Sequence, residues 1–243
     1  MISVGFRTDK GMVRNGNEDA LFVLPDQQLY IVADGVGGHN SGELASRMAV
    51  GYIAQYAALN PVNSVESKRD LRTYFKTCFD GANELIYNKA CSEPENVGMA
   101  TTCVLCYLRE GSAYIVNVGD SRAYLLRDGV LRQISEDHTC VREMVREGLL
   151  TEDEALVHPD KNMITRAIGG EETVEPDFFQ VDIFSGDVII LCTDGLYGEV
   201  NAETIVNLSA RTESMHRLAN NLVDEANYNG GKDNISVVCI KIQ

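Results

Sequence analysis

Three apolar runs in this 243-residue chain end on an aspartate beside a glycine. They are Leu29-Tyr-Ile-Val-Ala-Asp34-Gly35, Tyr114-Ile-Val-Asn-Val-Gly119-Asp120 and Val188-Ile-Ile-Leu-Cys-Thr-Asp194-Gly195. A fourth aspartate, Asp233, stands with Asn234 just ahead of the last apolar run. A single Asp-Gly after a strand is ordinarily a turn. Four such sites at the rims of buried strands suggest instead carboxylates converging at sheet ends. Those are hard oxygen ligands, suited to magnesium or manganese. Only 4 His occur, none with HxxxH-type spacing, which disfavours zinc hydrolysis.

Two further segments could serve such a centre. Arg14-Asn-Gly-Asn17-Glu18-Asp19 offers a planar fork that can hold two phosphate oxygens, with two carboxylates beside it. Standing alone, it reads equally well as an exposed charged loop. The stretch Asp34-Gly-Val-Gly-Gly-His39-Asn-Ser-Gly42 follows a strand and opens a helix, as a dinucleotide loop does. Asn40 falls where the third fingerprint glycine belongs, and no βαβ unit follows. The glycines are therefore expected to let backbone groups approach a metal or phosphate. No GxxxxGK[ST] motif and no convincing nucleophile triad occur.

The elements that must position these residues follow from hydrophobic period. Strands are predicted at Ile2 to Arg7, Ala20 to Leu24 and Leu29 to Ala33, then helices at about Ser41 to Leu59 and Lys68 to Cys91. Four strands come next: Thr101 to Leu108, Ala113 to Val118, Ala123 to Arg127 and Val130 to Ile134. Asp128-Gly129 reads as a two-residue hairpin turn. Cys140 to Leu156 reads as two short charged helices. Strands return at Asp177 to Ile183 and Asp187 to Cys192, helices at Ala202 to Leu208 and Ser214 to Tyr228, and a strand at Ile235 to Ile242. Strands joined by tight turns, with helices in consecutive pairs, indicate an α+β sandwich of antiparallel sheets covered by helices. No linker or repeat divides residues 1–243, so one domain is expected.

Composition narrows the partners. Hydrophobic residues make up 44% and charged residues 23%, the mix of an ordinary soluble globular protein. The formal charge is -15, from 21 Lys and Arg against 36 Asp and Glu, which disfavours nucleic acid and anionic membranes. The 7 Cys show no regular framework, consistent with a reducing cytoplasm. Cys103 and Cys106 form a CxxC inside a strand, so they face opposite sides and read as buried structural residues. MISVGFRTDKG has no signal-peptide core, and no apolar stretch is long enough to span a membrane. A cytoplasmic monomer is expected.

Six motifs occur in one order along essentially the whole chain. They are Arg14-x-x-Asn17-Glu18-Asp19, Asp34-Gly-x-Gly-Gly-His39, Gly98-Met-Ala-Thr-Thr102, Gly119-Asp-Ser-Arg122, Asp194-Gly-Leu196 and Asp233-Asn234. Together they resemble the metal-dependent serine/threonine protein phosphatases of the PPM (type 2C) family, in a bacterial-type form. The resemblance implies a four-layer αββα sandwich, two antiparallel sheets flanked by antiparallel helix pairs, with a dinuclear Mn2+ or Mg2+ centre. Asp34 would bridge both ions, the Gly35 carbonyl would bind one, and Asp194 and Asp233 the other. Asp120, with Asp194, matches a third, weaker site. Glu18, Asp19 and Asn234 would act through metal-bound waters and hydrogen bonds, Arg14 would hold the phosphate, and Ser121 and Arg122 would fix a turn.

That assignment agrees with two-metal chemistry. Cations about 3.5–4 Å apart acidify a bridging water, and Arg14 helps stabilise the charge of in-line attack on phosphorus. In the animal-type pattern a proposed general-acid His follows the metal-binding Asp-Gly, but here that position is Val36. Either His39 or a metal-bound water would donate the proton. The charged stretch 141–166 matches the family's variable flap, which would influence choice of protein substrate. Substrates implied are phosphoproteins, including a serine/threonine kinase and its targets. Two rival readings are a catalytically silent regulatory domain of the same fold and a hydrolase of small phosphate esters.

Overall fold

The computed structural model describes residues 2–38, 41–65 and 67–243. One sheet contains β1 (Ile2–Asp9), β7 (Arg122–Arg127), β8 (Val130–Gln133), β10 (Val188–Cys192) and β11 (Ile235–Ile242), in the order β1-β11-β10-β7-β8. The other contains β2 (Asp19–Leu24), β3 (Leu29–Val36), β5 (Cys103–Arg109), β6 (Ser112–Val118) and β9 (Asp177–Asp182), in the order β2-β3-β5-β6-β9. The two-residue β4 (Ala100–Thr101) adds to β3. Every pairing is antiparallel.

Strand alternation sorts the apolar side chains into three cores. Leu29, Ile31, Cys103 and Leu105 pack with α1 (Ser41–Leu59) and α2 (Lys68–Ser92). Their neighbours Tyr30, Val32, Val104 and Cys106 turn to the other face, where they meet Leu125, Ile189, Leu191 and Val238 of the opposite sheet. Ile190, Cys192 and Val237 pack with α6 (Ala202–Ala210) and α7 (Met215–Tyr228). The layers are therefore helices, sheet, sheet, helices, as expected. Because β3, β5, β6 and β10 are apolar on both faces, their sequences read as continuous runs rather than alternating ones. Cys103 and Cys106 do lie in different cores.

Asp128 and Gly129 both take positive φ, 51° and 75°, the geometry of a tight hairpin turn between β7 and β8. The stretch 141–166 is only partly helical: α3 (Cys140–Arg146) and α4 (Glu152–Val157) are followed by turns. A bridge between Thr139 and Ile164 closes the segment at its base. The short α5 (Asp194–Tyr197) was not foreseen, since four residues carry no period.

Two glycines at the Asp34 loop also allow a close packing contact. A Cβ on Gly35 would lie 2.0 Å from the carbonyl oxygen of Gly42, and one on Gly42 would lie 2.4 Å from Glu18 Oε2. At these two positions the missing side chains let β3 press against the start of α1. Gly35→Ala is expected to destabilise the fold by about 1–3 kcal/mol or more, because backbone must move to admit the methyl. Urea unfolding checks this, and an unchanged midpoint would refute the packing role.

Candidate active site

The carboxylates gather where the ends of strands from both sheets meet. Asp19 opens β2 and sits directly across from Asp34 in the β2–β3 ladder. Asp34 lies inside β3, two residues before its end, rather than just past it. Asp120 follows β6, Asp194 is the first residue of α5, and Asp233 lies in the turn before β11. Arg14, Glu18, Asp34, Gly35, Asp120, Asp194, Asp233 and Asn234 line one cavity of about 260 Å³, with Val36, Gly37, Thr102, Asn162 and Ile164 completing its wall. The residues were thus brought together as expected, except that Asp19 is buried behind the cavity and His39 lies outside the described residues.

Buried hydroxyls and one amide hold the ring of carboxylates in place. The Asp34 N–H donates to Thr102 Oγ1 at 2.9 Å, and its carbonyl accepts from Thr101 Oγ1 and the Thr102 N–H, both at 2.8 Å. Thr102 Oγ1 is also 2.7 Å from Ser121 Oγ, which ties the Asp34 strand to the Asp120 turn. Across the sheets, Thr193 Oγ1 donates to Asp19 Oδ2 at 2.9 Å while accepting from the Ser236 N–H at 3.0 Å. Asn234 pins the loop that carries Arg14: Oδ1 accepts from the Glu18 N–H, and Nδ2 donates to the carbonyls of Lys10 and Gly16. Arg14 Nη2 meets Asp233 Oδ2 at 2.7 Å, and Asp233 Oδ1 accepts from the Asn234 N–H.

So many carboxylates in one place raise one another's pKa. Burial, then the charges of Asp19, Asp194, Asp120 and Asp233, hold Asp34 well above the usual carboxylate range. Burial pushes Asp19 and Asp120 up to about 7, with Asp194 adding to both. Asp194 is raised by burial and by Asp233, and Glu18 chiefly by burial. A protein without cations holds this cluster only at a cost, which bound cations would remove.

The donor set fits hard cations. Asp194 Oδ1 and Asp19 Oδ1 are buried without any hydrogen-bond partner, an arrangement that leaves carboxylate lone pairs without compensation. The cavity wall is rich in oxygen donors and has no described His or Cys. Among the described residues, no three His, Cys, Asp or Glu side chains surround a single point. Asp233 is turned into its pair with Arg14 and would have to exchange that partner to join Asp34 and Asp194.

Residues 13–230 match the family model of protein phosphatase 2C. The serine/threonine phosphatase stp of Listeria monocytogenes is 37% identical over 239 residues, 97% of this chain and 94% of the relative. The chain belongs to the protein phosphatase 2C family. A serine/threonine phosphatase structure from S. agalactiae superposes with a TM-score of 0.93 at 30% identity, covering 100% of both chains. The catalytic domain of the phosphatase PstP, solved in complex with two manganese ions, gives 0.85 at 34% identity, covering 100% of this chain and 99% of that one. Two antiparallel sheets flanked by helices are thus the expected and the observed frame.

Ser121 and Arg122 follow Asp120 directly, and each bonds a side chain outside the turn. Arg122 grips Asp137 with Nε and Nη2, the shortest contact being 2.6 Å, and donates to Tyr124 Oη at 2.9 Å. Three functional neighbours were not assigned from the sequence: Thr102, Thr193 and Tyr197. Thr102 stands in a recognisable motif, but its partner Ser121 is 19 residues away. Thr193 immediately precedes Asp194, yet its role depends on Asp19, 174 residues distant. A second cavity of about 600 Å³ adjoins the first, sharing Asp120 and Asn162 with it, and runs between α3, α4 and the β7–β8 hairpin.

Proposed function

We propose that this phosphatase hydrolyses phosphoserine and phosphothreonine side chains of proteins, with Arg14 gripping the phosphate beside a centre of Mn2+ or Mg2+ ions. The observation that carries the reading is Asp194, whose Oδ1 is buried without a partner in the cavity it shares with Asp34 and Arg14. Asp34 would bridge two ions, with the Gly35 carbonyl on one and Asp194 and Asp233 on the other. Asp120 and Asp194 would make a third, weaker site. Such ions, when bound, supply Lewis acidity, an acidified water at neutral pH and neutralisation of the transferred phosphoryl charge.

This chain's own residues do the positioning. Asn234 fixes the loop from Lys10 to Glu18, so the Arg14 guanidinium is delivered to the cavity rim. There Nη2 already holds one oxygen of the Asp233 carboxylate, and a phosphate could present two oxygens to the same fork. The Thr193 bond keeps Asp19 oriented behind the centre, and Thr102 sets the Asp34 backbone. The wider cavity beside Asp120 gives room for the protein chain that bears the phosphate. We read residues 1–243 as one catalytic domain with 141–166 as its flap, acting as a cytoplasmic monomer on a serine/threonine kinase and its targets. A light-scattering mass other than that of one chain would refute the monomer. Among the described residues, no helix is long and apolar enough to cross a membrane.

The test is phosphate release from a phosphothreonine peptide with Mn2+, with and without chelator. Release is expected only with the metal, and Arg14→Ala should lower kcat/KM by about 10²–10³-fold, as loss of a charge-stabilising donor does. Release that survives chelation, or none with Mn2+ present, would refute the reading.

A further inference from the structure

Asp194 and Tyr197 are the first and last residues of α5, one turn apart; Asp194 lines the cavity together with Asp120, and Tyr197 touches Asp120 directly. The Tyr197 hydroxyl donates to the Asp120 carbonyl at 3.0 Å and stands 3.4 Å from its Oδ2. The ring of Tyr197 is itself held, since the Arg122 guanidinium carbon lies 3.5 Å above its centroid. Arg122 in turn is locked by the Asp137 carboxylate. Asp120 is buried, and no Lys, Arg or His pairs with its carboxylate within salt-bridge distance among the described residues. Tyr197 thus places its one hydroxyl proton between the backbone carbonyl of Asp120, the nearer partner, and its carboxylate.

We infer that Tyr197 is a positioning residue, which fixes the Asp120 carboxylate against Asp194 and so sets the cation affinity of that pair. The inference rests on the ligand assignment proposed above. A group that orients a metal-binding carboxylate from behind changes affinity at that site while leaving distant ligands alone. Tyr197→Phe removes the hydroxyl and keeps the ring on Arg122, so packing is retained.

Mn2+ binding to the chelator-treated full-length protein, read by calorimetry and by loss of the free-Mn2+ EPR signal, tests this without any turnover. Asp120→Asn identifies the class of ions that depends on Asp120, expected to be the weakest. Tyr197→Phe is expected to weaken that class alone by about tenfold or more, with the tighter ions and the unfolding temperature in chelator nearly unchanged. Three results would overturn the inference: an unmoved weak class, equal weakening of all classes, or a wild-type isotherm with no class that Asp120→Asn removes. Normal isotherms with no phosphate release would instead count against the phosphatase reading.

Discussion

Asp34→Asn is expected to reduce phosphate release by at least about 10³-fold while making the chelated protein more stable than wild type at pH 8. The two effects have one cause. Asp34 sits against Asp19, Asp194, Asp120 and Asp233, and its carboxyl is held well above its ordinary range by burial and by those charges. Without cations, each ionised member is destabilised by the others, at about 1.4 kcal/mol for every unit of pKa shift. An asparagine of the same shape removes one charge and relieves that repulsion. With cations, the same change deletes the bridging ligand of the proposed centre. Asp194→Asn should behave alike, since its unpartnered Oδ1 loses the reason for its burial. Steady-state assays with Mn2+ and thermal melts in chelator check both halves. Retained turnover would refute the ligand assignment, and a destabilised, inactive protein would reduce Asp34 to a structural residue.

The second large effect is on pH. Asp19 and Asp120 have an ordinary value of 3.8 and are pushed up to about 7 in the folded chain. Between those limits the folded protein binds more protons than the unfolded one, so stability falls as pH rises. Their contribution is complete below about pH 4 and gone above about pH 7. His138 works the other way: burial holds its pKa below the ordinary 6.5, so its contribution to stability grows as pH rises toward that value and is complete above it. Two carboxylates outweigh one imidazole, and the chelated protein is expected to be a few kcal/mol more stable at pH 5 than at pH 8. Mn2+ should abolish or invert that difference, because cations favour the deprotonated carboxylates. Denaturant midpoints at the two pH values, with and without Mn2+, provide the measurement. A chelated protein that gains stability from pH 5 to pH 8 would show that the cluster is not under the strain described.

Much of this is legible in the sequence. The strands and the long helices follow from hydrophobic period, and Ser41–Leu59 and Ile235–Ile242 fall where the pattern put them. Asp128-Gly129 announced its hairpin because few other pairs tolerate positive φ at both positions. Elements too short to show a period, α5 and β4, were not visible. The two short charged helices read over Cys140 to Leu156 are α3 and α4, while the turns after Val157 and the Thr139–Ile164 bridge, which depend on contacts across the segment, carried no local pattern.

The aspartates at the ends of apolar runs were readable because a strand's sequence is local: five or six buried residues, then a carboxylate. Their identity as hard cation donors is a property of residue type, and the sequence alone determined it. What only the tertiary structure decided is which of them meet. Asp34 lies in β3 and Asp194 just follows β10, strands of different sheets, and the cavity they share exists because the two sheets stack with those ends together. The same holds for Thr193 with Asp19 and for Tyr197 with Asp120, contacts that span 174 and 77 residues. Hydrogen bonds between distant segments depend on register and layer packing, and neither leaves a mark on the local pattern of residues.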